Sequence, residues 1–259
     1  MILPRPIPES YQLKTATLVK KADHWYISLV LEDAGVPEFA TTVILTELNT
    51  LGMDVGINSF LIASSGKVVE NPRCYRSSEE RLASTQQCFS KTKRGSRRRR
   101  KIAKKLSRVH NKIANQRRDF HHKTARYLVD NHEVIAHEDL TVKNMSRRVA
   151  PKQDEQGRYV PNGQAAKSGL NKSILDCGWS SFLSILSVKA EKAGRICIAV
   201  NPHNTSQLCS TCGMKVPKKL KDRWHFCASC QPSLDRDFNS SLLIKQRAVG
   251  HHVRKAQSD

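Results

Sequence analysis

Hydrophobic periodicity divides the chain into strands, one long basic helix and a run of alternating elements. Residues 13–20 alternate loosely between polar and apolar, Lys21-Ala22-Asp23-His24 reads as a turn, and Trp25-Tyr26-Ile27-Ser28-Leu29-Val30-Leu31 is rich in β-formers. Two strands and a turn are predicted. A hairpin so near residue 1 has few partners of its own and reads as the tail of a β-barrel. Residues 51–71 predict three short strands: Leu51-Gly52-Met53-Asp54-Val55-Gly56, then Ser59-Phe60-Leu61-Ile62-Ala63, then Lys67-Val68-Val69-Glu70 after a Ser-Ser-Gly turn. Residues 76–130 are helical in pattern. Ile102, Leu106, Val109, Ile113 and Phe120 recur at helical spacing and draw one apolar seam, with a break at Gly95-Ser96.

Glu133-Val134-Ile135-Ala136-His137-Glu138 predicts a buried strand ending in acid. Residues 141–170 have little periodicity and predict a mobile loop. Residues 171–193 predict one amphipathic helix with Ile174, Trp179, Phe182, Leu183 and Leu186 inward. A strand over 195–200 and a last helix over 238–248 follow. Strands alternating with helices predict an α/β domain.

Charge changes the picture. The 259 residues carry 44 Lys and Arg against 23 Asp and Glu, a formal net charge of +21. Such an excess points to a polyanion: nucleic acid first, a membrane surface second. Sixteen of the basic residues and one acid, Asp119, fall within 91–126. Like charges at i, i+3 and i+4 destabilise a helix unless phosphates neutralise them, so this face predicts nucleic-acid contact over a merely solvated surface. The candidate phosphate contacts are Arg94, Arg97, Arg98, Arg99, Arg100, Lys101, Lys104, Lys105, Arg108, Lys112, Arg117 and Arg118. No apolar run approaches the roughly 20 residues of a membrane span. The opening Met1-Ile2-Leu3-Pro4-Arg5-Pro6 lacks a signal-peptide shape. A cytoplasmic, nucleoid-associated protein is expected, with no membrane partner.

Candidate chemistry sits near the end. Cys209-x-x-Cys212 and Cys227-x-x-Cys230 have the spacing of a zinc ribbon, whose four thiolates bind one structural Zn²⁺. Cys74, Cys88, Cys177 and Cys197 are scattered, which suits a reducing compartment with one metal site better than a disulfide framework. Just behind lies Asp235-Arg236-Asp237-Phe238-Asn239. Asp54, Glu138 and Asp237 each fall at an element edge, the kind of set that holds two Mg²⁺ for phosphodiester hydrolysis. Taken singly, each is better explained as a cap or ion-pair partner.

The order of Gly52-Met53-Asp54-Val55-Gly56, His137-Glu138-Asp139-Leu140, the paired cysteine knuckles and Asp235-Arg236-Asp237-Phe238-Asn239 resembles the TnpB family. These are transposon-encoded, RNA-guided, RuvC-like nucleases related to type V CRISPR effectors and often labelled OrfB-type transposases. Residues 111–120, Asp176-Cys177-Gly178-Trp179 and residues 201–210 match as well, so the resemblance spans about residues 10–248. It implies an RNase H-like (RuvC) α/β nuclease core with a long basic helical insert, a zinc-ribbon insert and a partial N-terminal β-barrel. The implied division is 1–48 for the partial barrel, 49–204 for the core with its insert at 75–130, 205–231 for the ribbon, and 232–259 for the third motif and final helix. Asp54, Glu138 and Asp237 match the family's catalytic acids. Asp235 is the rival at the third motif and is better placed to cap the last helix; Asp139 is the rival at the second but alternates to the other strand face. Cys209, Cys212, Cys227 and Cys230 match its zinc ligands.

Two departures stand out. Gln231-Pro232 follows the last knuckle where the family has glycine. The chain also begins inside the second half of the family's wedge barrel, so much of what grips the guide–target duplex is expected elsewhere. The function implied is a Mg²⁺-dependent, RNA-guided DNA endonuclease or its C-terminal catalytic part, with guide RNA and target DNA as partners. The alternative is a non-cleaving RNA- or DNA-binding relative that needs a partner chain. Strict transposition would need a strand-transferring nucleophile or a synaptic domain, and the sequence offers neither.

Overall fold

The computed structural model describes residues 6–7, 9–21, 24–33, 35, 44–219 and 221–256. Strands β1 (Tyr11–Lys21) and β2 (His24–Asp33) form an antiparallel two-stranded sheet, with Tyr26 opposite Val19. This hairpin is what the described residues give of the expected barrel. Its apolar side chains are widely exposed: Leu18 and Trp25 are each 62% accessible.

The central sheet is built from β3 (Thr50–Val55), β4 (Ser59–Ala63), β5 (Val68–Glu70), β6 (Val134–Glu138) and β9 (Ile196–Val200), in the order β5-β4-β3-β6-β9. β3, β4 and β5 form the antiparallel meander read from the sequence; β6 and β9 join in parallel, with Met53 opposite His137 and Glu138 opposite Val200. Between β5 and β6 lie a 3-10 turn (Arg76–Ser78), α1 (Glu79–Ser90) and α2 (Arg97–Asn131). The sequence break is real. Gly95 has φ 79°, and the Ser96 hydroxyl accepts the Arg99 backbone N–H at 3.1 Å as an N-cap.

Between β6 and β9 run α3 (Val142–Met145), a two-residue hairpin of β7 (Lys152–Gln153) and β8 (Tyr159–Val160), α4 (Gln164–Cys177) and α5 (Trp179–Lys192). Two expectations are corrected here. The stretch 141–170 is ordered, tied down by Lys167 Nζ on the Met145 carbonyl and Asn171 on the Ser146 carbonyl. The single helix over 171–193 is two helices, broken at Gly178, which is left-handed with φ 65°. A Cβ there would stand 3.1 Å from Arg117 Cδ and 3.2 Å from His121 Cε1, so glycine also makes room for α2.

Parity along the strands divides the core. Leu51, Met53 and Ile135 face α2 and α5 in the main cluster, where Phe60 meets Phe120 and Phe182 edge-on at 4.8 and 4.9 Å. Ala136 and Val200 face the other way, onto Ile244 and Ala248 of the last helix, α6 (Arg236–Ala256). Gly52 shares that second face, and a Cβ on it would lie 2.1 Å from the Ser241 carbonyl oxygen and 2.6 Å from the Lys245 nitrogen. The absent side chain lets the α6 backbone lie directly on β3. Gly52→Ala is therefore expected to destabilise the protein by about 3 kcal/mol, because backbone cannot rotate out of the way and the helix must back off. An unchanged denaturant midpoint would show that α6 is not seated there.

Candidate active site and metal centre

Asp54 and Glu138 have the same strand parity as Gly52 and Ala136, so both side chains emerge on the face that α6 covers. β3 and β6 are neighbours, which puts the two acids near one level. Asp237 enters from the first turn of α6, three residues ahead of the buried Ser240. Burial pushes the Asp54 carboxyl well above the usual carboxylate range, and the charges of Glu138 and then Asp237 push it further; Arg236 opposes them. Glu138 is also pushed up, chiefly by burial, while the Thr205 hydroxyl donating to its carboxylate and the charge of Arg247 hold it back. Asp237 faces Arg236, whose Nε donates to it at 2.9 Å, and lies 3.8 Å from Arg223.

The rival acids are elsewhere. Asp235 Oδ1 accepts the backbone N–H groups of Asp237 at 2.9 Å and Phe238 at 3.1 Å, so it caps α6. Asp139 is exposed, and its own N–H binds the Val200 carbonyl at 2.8 Å.

Four side chains around the acids went unassigned in the sequence. Asn239 is fully buried: it accepts the Ser210 N–H at 3.0 Å and donates to the Leu208 carbonyl at 2.8 Å, locking the first knuckle to α6. Arg247 clamps the loop after β9 through the carbonyls of Asn201 and His203. Thr205 holds Glu138, and Arg236 neutralises Asp237. Of these, Asn239 and Arg236 carried a signal as members of the motif around Asp237, and Thr205 as a member of the matching stretch 201–210; Arg247 carried none.

Cys209, Cys212, Cys227 and Cys230 converge. Their sulfurs all lie within 4.8 Å of one another, the one such group of three or more potential ligands among the described residues. The Cys209–Cys230 and Cys212–Cys227 sulfurs are each 3.6 Å apart. Burial pushes the Cys209 thiol up, but N–H donors from Cys212 and Thr211 and the His225 ring overcome it and leave it at about 7. The Cys230 backbone N–H draws Cys227 down to about 7 as well. Both knuckles turn through a left-handed residue after the second cysteine: Gly213 at φ 74° and Gln231 at φ 60°. The departure at Gln231 thus keeps the turn and accepts its strain. β10 (Trp224–Phe226) and β11 (Ser233–Asp235) pair across the second knuckle and run directly into α6.

On the basic helix, Arg97, Arg98, Arg100, Lys101, Lys104, Lys105, Arg108, Lys112 and Arg118 are exposed, as is Arg94 in the turn before it. Arg99 and Arg117 of the predicted set are held inside the fold. Arg99 donates to the Phe89 and Thr92 carbonyls and stacks over the Phe89 ring at 4.0 Å. Arg117 pairs at 3.0 Å with buried Asp176, which also accepts the Tyr75 and Arg76 backbone N–H groups. None of the helices among the described residues is long and apolar enough to cross a membrane.

Residues 33–149 match the family OrfB_IS605, described as "Probable transposase", and residues 179–244 match the "Cas12f1-like, TNB domain". The chain is 32% identical over 245 residues to a "Putative RNA-guided DNA endonuclease" of Streptomyces pristinaespiralis, covering 93% of this chain and 54% of the relative. It is 33% identical over 242 residues to the "Putative RNA-guided DNA endonuclease InsQ" of Escherichia coli (strain K12), covering 93% and 58%. It therefore spans about half the length of the curated relatives it matches. Its fold is similar to that of the protein in the "Cas12f1-sgRNA-target DNA complex", with a TM-score of 0.51 at 16% identity over 89% of this chain and 55% of that one. A "CRISPR-Cas12f Ternary Complex" gives the same score, covering 91% and 44%. The chain thus carries an OrfB_IS605 segment followed by a Cas12f1-like TNB segment that holds the four cysteines, and it is similar to these RNA-guided endonuclease relatives along nearly its whole length.

Proposed function

We propose that this chain is the catalytic part of an RNA-guided, metal-dependent DNA endonuclease of the TnpB type. What supports the reading is the placement of Asp54 and Glu138 at matching parity on neighbouring strands, on the sheet face covered by the helix that begins with Asp237. The sheet order, three antiparallel strands extended by two parallel ones, is that expected of an RNase H-like (RuvC) core. In this reading residues 49–204 and 232–259 form the core, 75–130 its basic insert, 205–231 the ribbon, and 1–48 part of a barrel. The protein would act on DNA selected by a guide RNA, as the relatives' names state for them.

The residues suit the metals. A tetrahedral Zn²⁺ with bonds of about 2.3 Å sets sulfurs about 3.8 Å apart, near the 3.6 Å between the cysteine pairs, and two thiols near neutrality are ready to ionise. Asp54 and Glu138, both raised by burial and by acidic neighbours, offer the hard, under-neutralised oxygens that Mg²⁺ prefers, with Asp237 beside them. When bound, the cations would activate water and stabilise the leaving oxygen. The protein's own work is positional. Thr205 fixes the Glu138 carboxylate, Asp235 caps the turn that presents Asp237, and Gly52 seats the helix that carries it.

The test is cleavage of target DNA in Mg²⁺ by the chain with its co-purified RNA, with the rest of a full-length relative supplied by fusion. Cleavage supports the reading; a completed assembly that binds RNA and DNA but never cuts leaves the non-cleaving binding protein.

The exposed part of α2 is proposed to hold phosphates. Replacing Arg97, Arg98, Arg100 and Lys101 with glutamine should weaken all nucleic acids alike and reduce the slope of log affinity against log salt by up to about 3 to 4. Arg99 is left in place because it secures the α1–α2 turn. An unchanged slope in a filter-binding titration would show that this end of the helix faces solvent.

A further inference from the structure

Between the N-terminal hairpin and α2 lies an open groove of about 360 Å³, lined by His24 and Tyr26 of β2 and by Arg108, Asn111, Lys112, Asn115 and Gln116 of α2. Its composition is ordered. His24 and Tyr26 are two residues apart, so both rings stand on one face of the strand. Arg108, Asn111, Lys112 and Asn115 follow i, i+3, i+4, i+7 and form one ridge of the helix. One wall is therefore aromatic. The other alternates cations with carboxamides, and none of the lining residues is acidic.

Those groups match the parts of a nucleotide. A ring can stack on a base, and Tyr26 is 48% exposed. A carboxamide has both donors and an acceptor, as a base edge does. Arg108 and Lys112 supply charge for a phosphate. The volume lies in the range of small-ligand pockets, roughly 300–1,000 Å³, and only an unpaired base leaves its face and edge free for such groups. A plain phosphate-tracking surface would need only the cations.

We propose that this cleft binds one unpaired nucleotide of a single strand, stacked on Tyr26 and read at its edge by Asn111 and Asn115. The proposal rests on the nucleic-acid reading of α2 and adds a base-specific site to it. RNA and DNA single strands share the chemistry, so the test uses both.

Binding of the full chain to a labelled single-stranded RNA, the same sequence as DNA, and a DNA duplex is measured by fluorescence anisotropy. Tyr26→Ala should weaken single-strand binding about tenfold, in keeping with the loss of one stacked base, and leave the duplex unchanged. Tyr26→Phe should retain binding. Asn111→Ala with Asn115→Ala, which leaves the hairpin intact, should also weaken the single strand selectively. Trp25→Ala removes an aromatic from the opposite face of β2, where Lys20 sits 5.3 Å from the ring centre, and should be silent. The salt slope should not move, since no cation is lost. A larger loss with RNA, a larger loss with DNA, or equal losses each support the cleft and identify its source of single strand. Equal weakening of duplex and single strand, or no weakening of either, overturns it. Failure of the unaltered chain to bind any probe sinks the nucleic-acid reading of α2 itself, and the cleft with it.

Discussion

Asp54→Ala, Glu138→Gln and Asp237→Ala should each reduce Mg²⁺-dependent DNA cleavage by a factor on the order of 10³ or more while leaving nucleic-acid affinity within about twofold. The separation follows from the fold: Asp54 and Glu138 lie on the sheet face that α6 covers, Asp237 lies on α6 itself, and the exposed cations lie on α2, which packs on the other face. Asp235→Ala should leave cleavage intact and cost about 1 kcal/mol, the worth of an N-cap. If Asp235→Ala is dead and Asp237→Ala cleaves, the third acid is wrongly assigned.

The same acids predict a stability signature that needs no activity. Asp54 and Glu138 titrate above their ordinary range in the fold. Between the ordinary and the raised values the folded state holds protons that the unfolded chain has released. The metal-free protein should therefore lose stability as pH rises through that window and carry the cost above it. Asp54→Asn removes part of this cost. It should flatten the slope and raise the melting temperature at neutral pH, on the order of 1 kcal/mol per pKa unit relieved. A lowered melting temperature would mean that Asp54 is already neutralised, by Arg236 above all.

Removing zinc, or replacing Cys227 by serine, should unfold the segment between the first knuckle and α6. That segment has two buried thiols and little apolar core, so metal binding supplies its folding energy, of order 10 kcal/mol for isolated zinc modules. One zinc per chain is expected by metal analysis. The damage should spread, because Asn239 and Gln246 of α6 bind the first knuckle and β11 runs straight into the helix that carries Asp237. Cleavage should fall with zinc occupancy while duplex binding through α2 survives. A chain without zinc and with its thiols oxidised to disulfides would overturn this. So would a chelated protein with an unchanged spectrum over the ribbon.

The parts of the fold fixed by local chemistry were readable in advance. Alternation marked the hairpin and the meander, Ser96 marked the start of α2, and the two Cys-x-x-Cys pairs marked the four-cysteine cluster. Long-range partners were not readable. Gly178 could have signalled a helix end, but an apolar face continuing through Ile174, Trp179 and Phe182 hid the break. Arg99 and Arg117 look like their neighbours in a run of cations; only tertiary structure shows one spent on carbonyls and the other on Asp176. Asn239 sat inside a recognised motif, yet its role as the pin between knuckle and helix depends on Leu208 and Ser210, about thirty residues earlier.

The seating of α6 on Gly52 also governs when the proposed centre can exist. Asp54 and Glu138 belong to strands made before α6, so Asp237 reaches them only after α6 has left the ribosome and docked. Domains fold as the chain emerges, at about 5–20 residues per second. A nascent chain already able to hold RNA along α2 would therefore pass through a stage with two of its three acids. Guide capture could precede nuclease competence, an ordering written into the connectivity that requires no inhibitor.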